Sequence, residues 1–143
     1  MRIISGKLKG KKILFLKSST TRPLKDSVKE SIFNIISHSN LLNINLTSSS
    51  ILDLYSGIGS FGLECVSRGV KEVIFVEKNK AAAEVLISNL VKLKINNNAK
   101  VIVNDVKQFL NSKNSKKFDI IFLDPPYKDD DYLQNLDLIK QYK

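Results

Sequence analysis

From Ile51 onward the chain alternates strand-like and helix-like stretches without interruption, and this alternation narrows the possible folds more than any other feature. The strand patterns ILDLY, EVIFVE, KVIVND and FDIIFLD are separated by helical patterns. These run from Ser60 to about Arg68, closed by Gly69, from Asn79 to about Leu93, over VKQFLNS, and onward from about Asp130. Repeated strand–helix units form a parallel sheet covered by helices on both faces, so the expected class is α/β. Right-handed crossovers lay the first three strands out in one direction, and the fourth returns to the other side of the first. The expected order is therefore 3-2-1-4. A ligand in such a sheet binds at the strand C-terminal ends, where the order reverses between strands one and four.

The first 49 residues read as a separate unit, followed by the core over residues 50–143. RIISG and ILFL flank KLKGKK, which reads as two short strands joined by a basic turn. TTRPLKDSVKESIFNIISH holds a capping-box pattern at Ser27 and Glu30, and Val28, Ile32 and Ile35 or Ile36 form a helical stripe with Phe33 beside it. Residues 1–25 carry eight basic side chains and no acid, so nearly all of the net charge of +9 sits in one segment. Such confinement favours contact with a polyanion, although a lysine-rich solvated surface has the same composition. The lone cysteine, Cys65, cannot form an internal disulfide and fits a reducing cytoplasm, on the buried face of a helix. His38 has no second histidine or cysteine partner pattern for a metal site, and the N-terminus lacks a secretory apolar region. The expectation is a cytoplasmic protein without metal or membrane anchor.

Residues 57–62, GIGSFG, match the glycine fingerprint that lets a dinucleotide pyrophosphate approach the backbone at a helix N-terminus. Glu77 ends the next strand at about the distance where that fingerprint places an acid for a ribose hydroxyl. S-adenosylmethionine enzymes use the same geometry without a pyrophosphate, so the loop alone leaves both readings open. Residues 124–127, DPPY, directly follow the fourth strand. Two prolines hold the backbone extended and remove two N–H donors. That leaves the Asp124 carboxylate and the Pro125 carbonyl as acceptors next to the Tyr127 ring, a set suited to a planar group bearing an NH₂. An isolated DPPY is more often a rigid turn, but this one lies across the switch point from a glycine loop.

Together, RIISGKLKGKKI, RPLKDSVKESIFNI, DLYSGIGSFGLECVSRG, VEKN and FLDPPY resemble the class I S-adenosylmethionine-dependent N-methyltransferases, and most closely the RsmD-type guanine-N2 methyltransferases of 16S ribosomal RNA. The resemblance covers nearly the whole chain, with Leu24 departing from a small polar residue after the Arg-Pro pair. It implies a Rossmann-like core that binds S-adenosylmethionine through Asp53, Tyr55, Gly57, Gly59, Glu77 and Asp105. Asp53 would lie near the methionine amino group, Glu77 would take the ribose hydroxyls, and Asp105 would accept from the adenine amino group. Asp124, Pro125, Pro126 and Tyr127 would hold the target base.

Arg2, Lys7, Lys9, Lys11, Lys12 and Arg22 would bind RNA, with Arg22 placed at either a phosphate or the cofactor carboxylate. A side chain at Gly59 is expected to block the cofactor. The implied partner is 16S rRNA or the assembling 30S subunit, and no metal takes part. DNA adenine and protein glutamine methylation remain alternatives because those substrates also present an NH₂. A non-catalytic RNA-binding remnant is a third reading. The resemblance also implies further strands beyond Lys143, so the chain is expected to be a C-terminally truncated form. It would turn over weakly and self-associate through the open, apolar edge of the fourth strand.

Overall fold

The computed structural model describes residues 1–16, 24–39, 42–112, 116–126 and 132–142. Its core is a four-stranded parallel sheet of β1 (Ser50–Leu54), β2 (Glu72–Glu77), β3 (Ala99–Val103) and β4 (Ile120–Leu123), in the order β3-β2-β1-β4. This is the predicted order, and its cause is visible in the helices. α2 (Ser60–Ser67) and α3 (Lys80–Leu93) pack on one face while the chain steps from β1 to β3. α4 (Val106–Asn111) and α5 (Tyr132–Ile139) lie on the other face, where the chain turns back past β1.

Period-2 alternation divides the core between the faces. Ile51, Val73 and Phe75 meet Phe61, Leu63, Leu86 and Leu90 on the α2/α3 side. Leu52, Leu54, Ile74 and Val76 meet Val106, Phe109, Leu110, Ile139 and Tyr142 on the other. The central strand β1 is buried at all five positions. β4 is half-buried at all four positions, and among the described residues only β1 pairs with it.

The N-terminal unit corrects three local expectations. The two short strands reduce to one antiparallel bridge between Arg2 and Lys12, with Ile3 N–H donating to Lys11 O at 3.0 Å and Gly10 N–H to Ile3 O at 2.8 Å. Between them, Ile4, Ser5, Lys7 and Leu8 give their amides to α2 instead of to a ladder. Helix α1 (Asp26–His38) starts one residue before Ser27, so Ser27 lies inside the first turn and no side chain caps the helix. Its inward face is Lys29, Phe33 and Ile36, leaving Val28 and Ile35 exposed. Lys29 turns inward because its ammonium finds Arg2 O at 3.0 Å and Asp26 Oδ1 at 3.3 Å. Phe33, Phe61 and Phe122 then stack in sequence, joining α1, α2 and β4. Among the described residues no helix is long and apolar enough to cross a membrane.

Candidate active site

The C-terminal ends of the four strands bring most of the sequence-derived acids to one edge. Following the sheet order, Asp105 lies just beyond β3, Glu77 ends β2, the glycine loop leaves β1, and Asp124 follows β4. Neighbouring strands are about 4.8 Å apart, so this row spans roughly 14 Å, the scale of an extended nucleoside-sized ligand.

The loop from Tyr55 to Gly59 is held from several sides. Ser56 N–H donates to Val76 O at 3.1 Å, and Gly59 N–H donates to Ser56 O at 2.8 Å. Gly57 N–H donates to Glu77 Oε2 at 2.7 Å, while Glu77 Oε1 accepts from Asn79 N–H at 2.7 Å. Glu77 therefore ties the glycine loop to the start of α3 and keeps carboxylate lone pairs at the sheet edge. Asn79 caps α3 by accepting from Ala82 N–H at 3.0 Å. Asp105 caps α4, accepting from Lys107 N–H at 2.9 Å and Gln108 N–H at 3.3 Å, so its Oδ1 is engaged in helix capping. Oδ2 lies 3.9 Å from the exposed Lys78 ammonium.

Gly59 has a packing reason of its own. Its φ of +85° favours glycine, but a β-carbon there would lie 2.3 Å from Leu86 Cδ1. A side chain there would meet Leu86 of α3 inside the core. Gly62, left out of the predicted site although the motif contains it, has the closer functional link. A β-carbon there would lie 2.2 Å from the Phe75 ring and 2.9 Å from Asp53 Oδ2. Its absence lets α2 approach β1 so that Gly62 N–H donates to Asp53 Oδ2 at 3.0 Å.

Asp53 faces the α2 layer and is buried. Burial pushes its carboxyl up to about 8, against the Gly62 hydrogen bond and assisted by the negative charges of Asp124 and Glu77. The folded protein therefore keeps this proton through pH values at which the unfolded chain, with an ordinary value of 3.8, has released it. Stability attributable to this group is present below about pH 4 and is lost as pH rises toward about 8. Asp53→Asn retains a carbonyl acceptor for Gly62 and cannot ionise. The expected result is a variant whose urea midpoint falls less than the wild type's between pH 4 and 8, and parallel curves would refute the assignment. Partial desolvation at the strand end also raises the carboxyl of Asp124, which sits at an exposed position beside Pro125.

Two features had no sequence signal. Asn135 on α5 is buried and donates through Nδ2 to the Tyr55 hydroxyl at 2.7 Å, linking the helix after DPPY to the loop after β1. Ser60, the first residue of α2, has a buried hydroxyl without a hydrogen-bond partner among the described residues. Of the predicted site, Asp53, Tyr55, Gly57, Gly59, Glu77, Asp105, Asp124, Pro125 and Pro126 gather at this edge. Tyr127 and Arg22 lie outside the described residues. Lys7, Lys9, Lys11 and Lys12 are exposed around a turn at the opposite end of α2, where Lys7 N–H donates to Ser67 O at 2.7 Å. Arg2 is exposed as well and pairs with Asp26 at 3.3 Å.

Comparison with known proteins agrees with this architecture. The family model described as Conserved hypothetical protein 95 matches residues 1–143. A Bacillus subtilis protein named "Putative rRNA methyltransferase YlbH" is 39% identical across all of this chain and 76% of its own length. The "Ribosomal RNA small subunit methyltransferase D" of Haemophilus influenzae is 38% identical over 89% of this chain, which spans 64% of that relative. Among solved structures, "Putative methyltransferase yhhF from Escherichia coli" superposes with a TM-score of 0.85 at 29% identity, covering 99% of this chain and 72% of that one.

Proposed function

Because the chain belongs to the Conserved hypothetical protein 95 family, the RsmD-type methyltransferases, we propose that it moves a methyl group from S-adenosylmethionine to the exocyclic amino group of a guanine in small-subunit ribosomal RNA. The observation that carries this reading is the row of carboxylates along one sheet edge, ending in Asp124 and the Pro125 carbonyl. A row of acids beside a glycine loop repels a pyrophosphate and suits a cofactor that carries ammonium and sulfonium charges and ribose hydroxyls. Glu77 would take the ribose, Asp105 the adenine amino group, and the loop from Tyr55 to Gly59 the methionine end. The bound cofactor supplies an electrophilic methyl group.

The protein's own task is to present the target nitrogen. A guanine amino group is a weak nucleophile because its lone pair is delocalised into the ring. Asp124 and the Pro125 carbonyl accept its two N–H bonds, favour a pyramidal nitrogen and aim the lone pair along one direction. Positioning and fixed dipoles do this work without a covalent intermediate. Tyr127 would stack on the base once it is turned out of its neighbours. The exposed lysines of the N-terminal turn hold phosphates, which contributes affinity without reading sequence.

The deciding experiment offers labelled S-adenosylmethionine with 16S rRNA, 30S particles and duplex DNA, and identifies the modified base by mass spectrometry. Label on guanine N2 of the RNA is expected. Label on DNA adenine alone would overturn the reading. Replacing Lys7, Lys9, Lys11 and Lys12 together by alanine is expected to weaken RNA binding and leave the modified base unchanged. Each lost phosphate contact flattens the log–log salt dependence by about 0.7 for single-stranded RNA. An unchanged slope would remove the RNA surface from this turn.

A further inference from the structure

We infer that Glu64, a buried carboxylate remote from the candidate site, is the positioning residue of the RNA surface: it locks the lysine-bearing turn onto the far end of α2. This rests on the RNA reading above and adds how the surface is held. Glu64 has no exposed surface, and its carboxylate accepts from Ile4 N–H and Ser5 N–H, both at 2.9 Å, and from Arg68 Nε at 3.1 Å. Two of these three donors are backbone groups at the entrance to the turn. A charge taken fully out of water is a poor source of stability, since a well-packed apolar residue is often as good or better. What the carboxylate does supply is a defined position for the chain that donates to it.

The neighbouring contacts act in the same sense. Ser67 Oγ accepts from Leu8 N–H at 3.0 Å and donates to Ser5 O, while Ser67 O accepts from Lys7 N–H. Lys29 of α1 donates to Arg2 O, and Asn89 of α3 both accepts from Leu14 N–H at 2.7 Å and donates to Leu14 O at 3.1 Å. Buried polar side chains from three helices are thus committed to the backbone of one short segment, whose own lysines remain exposed. The turn is a preformed surface rather than an arm that orders on binding, so RNA binding does not carry that entropic cost. The eight residues of α2 separate it from the glycine loop by about 12 Å. The phosphates it holds therefore belong to nucleotides other than the target.

The test measures binding of a 16S rRNA transcript as a function of salt, and cofactor binding by calorimetry, for the wild type, Glu64→Gln, the four-lysine variant and their combination. Glutamine presents one acceptor oxygen and an NH₂ to the hairpin amides, so it cannot hold both. Glu64→Gln is expected to weaken RNA binding roughly tenfold and to flatten the salt slope. Cofactor affinity should stay within twofold, and the four-lysine background should show no further loss. If the four-lysine variant loses RNA affinity and Glu64→Gln does not, the positioning inference is overturned and the RNA reading stands. If the four-lysine variant binds RNA normally, this turn is not the RNA surface and the positioning inference is overturned with it, while the labelling experiment still decides the RNA reading. Equal losses of RNA and cofactor binding would make Glu64 a general core residue and also overturn the inference. Should Glu64→Gln not fold, Ser67→Ala, which frees Leu8 N–H and Ser5 O, carries the same comparison.

Discussion

Asp124→Ala is expected to lower the methyl-transfer rate on ribosomal RNA by about 10²–10³-fold or more, the scale seen when one fixed transition-state contact is removed. Cofactor affinity should stay within a few-fold. Asp124 follows β4, on the far side of the glycine loop from Glu77 and Asp105, so its loss removes an acceptor for the target amine and leaves the row proposed to hold the nucleoside. It also removes one of the negative charges that raise the Asp53 carboxyl, so Asp53 ionises more readily and offsets part of the lost charge. Asp124→Asn keeps one acceptor oxygen and is expected to fall between the two. Single-turnover rates with calorimetry on the same samples separate chemistry from binding. Near-normal turnover of the alanine variant would eliminate the proposed role of the DPPY acid.

Gly62→Ala is expected to destabilise the protein even though it lies inside a helix. Alanine is ordinarily favoured over glycine within a helix by roughly 1 kcal/mol, so propensity alone predicts stabilisation. Packing predicts the reverse, because the new methyl would lie 2.2 Å from the Phe75 ring and 2.9 Å from Asp53 Oδ2. Overpacking of this kind costs about 1–3 kcal/mol, and moving α2 outward also stretches the Gly62–Asp53 hydrogen bond. The variant should melt several degrees below the wild type and bind S-adenosylmethionine more weakly, since the glycine loop enters α2 directly. A higher melting temperature would show that helix propensity outweighs the contact.

The strand order and the gathering of Glu77, Asp105 and Asp124 at one edge were legible from sequence because they follow from alternation, crossover handedness and the ends of apolar runs. Local patterns failed where a tertiary partner decided the outcome. Ser27 and Glu30 form a capping box on paper, yet α1 begins at Asp26, which pairs with Arg2 and Lys29. Val28 looks apolar enough to face inward, yet Lys29 does so because a backbone carbonyl and a carboxylate await its ammonium.

What the sequence alone determined was the parallel α/β architecture, the switch point between β1 and β4, and the types of group placed there, all consequences of periodicity and chain connectivity. Only the tertiary structure decided how those groups are held. Gly59 meets Leu86, Gly62 makes room for Asp53, Asn135 reaches Tyr55, and Glu64 holds the basic turn at the far end of α2. The physical reason is range: periodicity is set by neighbours a few residues away, whereas these contacts join positions 9 to 80 residues apart. A glycine or a buried acid carries no mark of the distant atom it will meet.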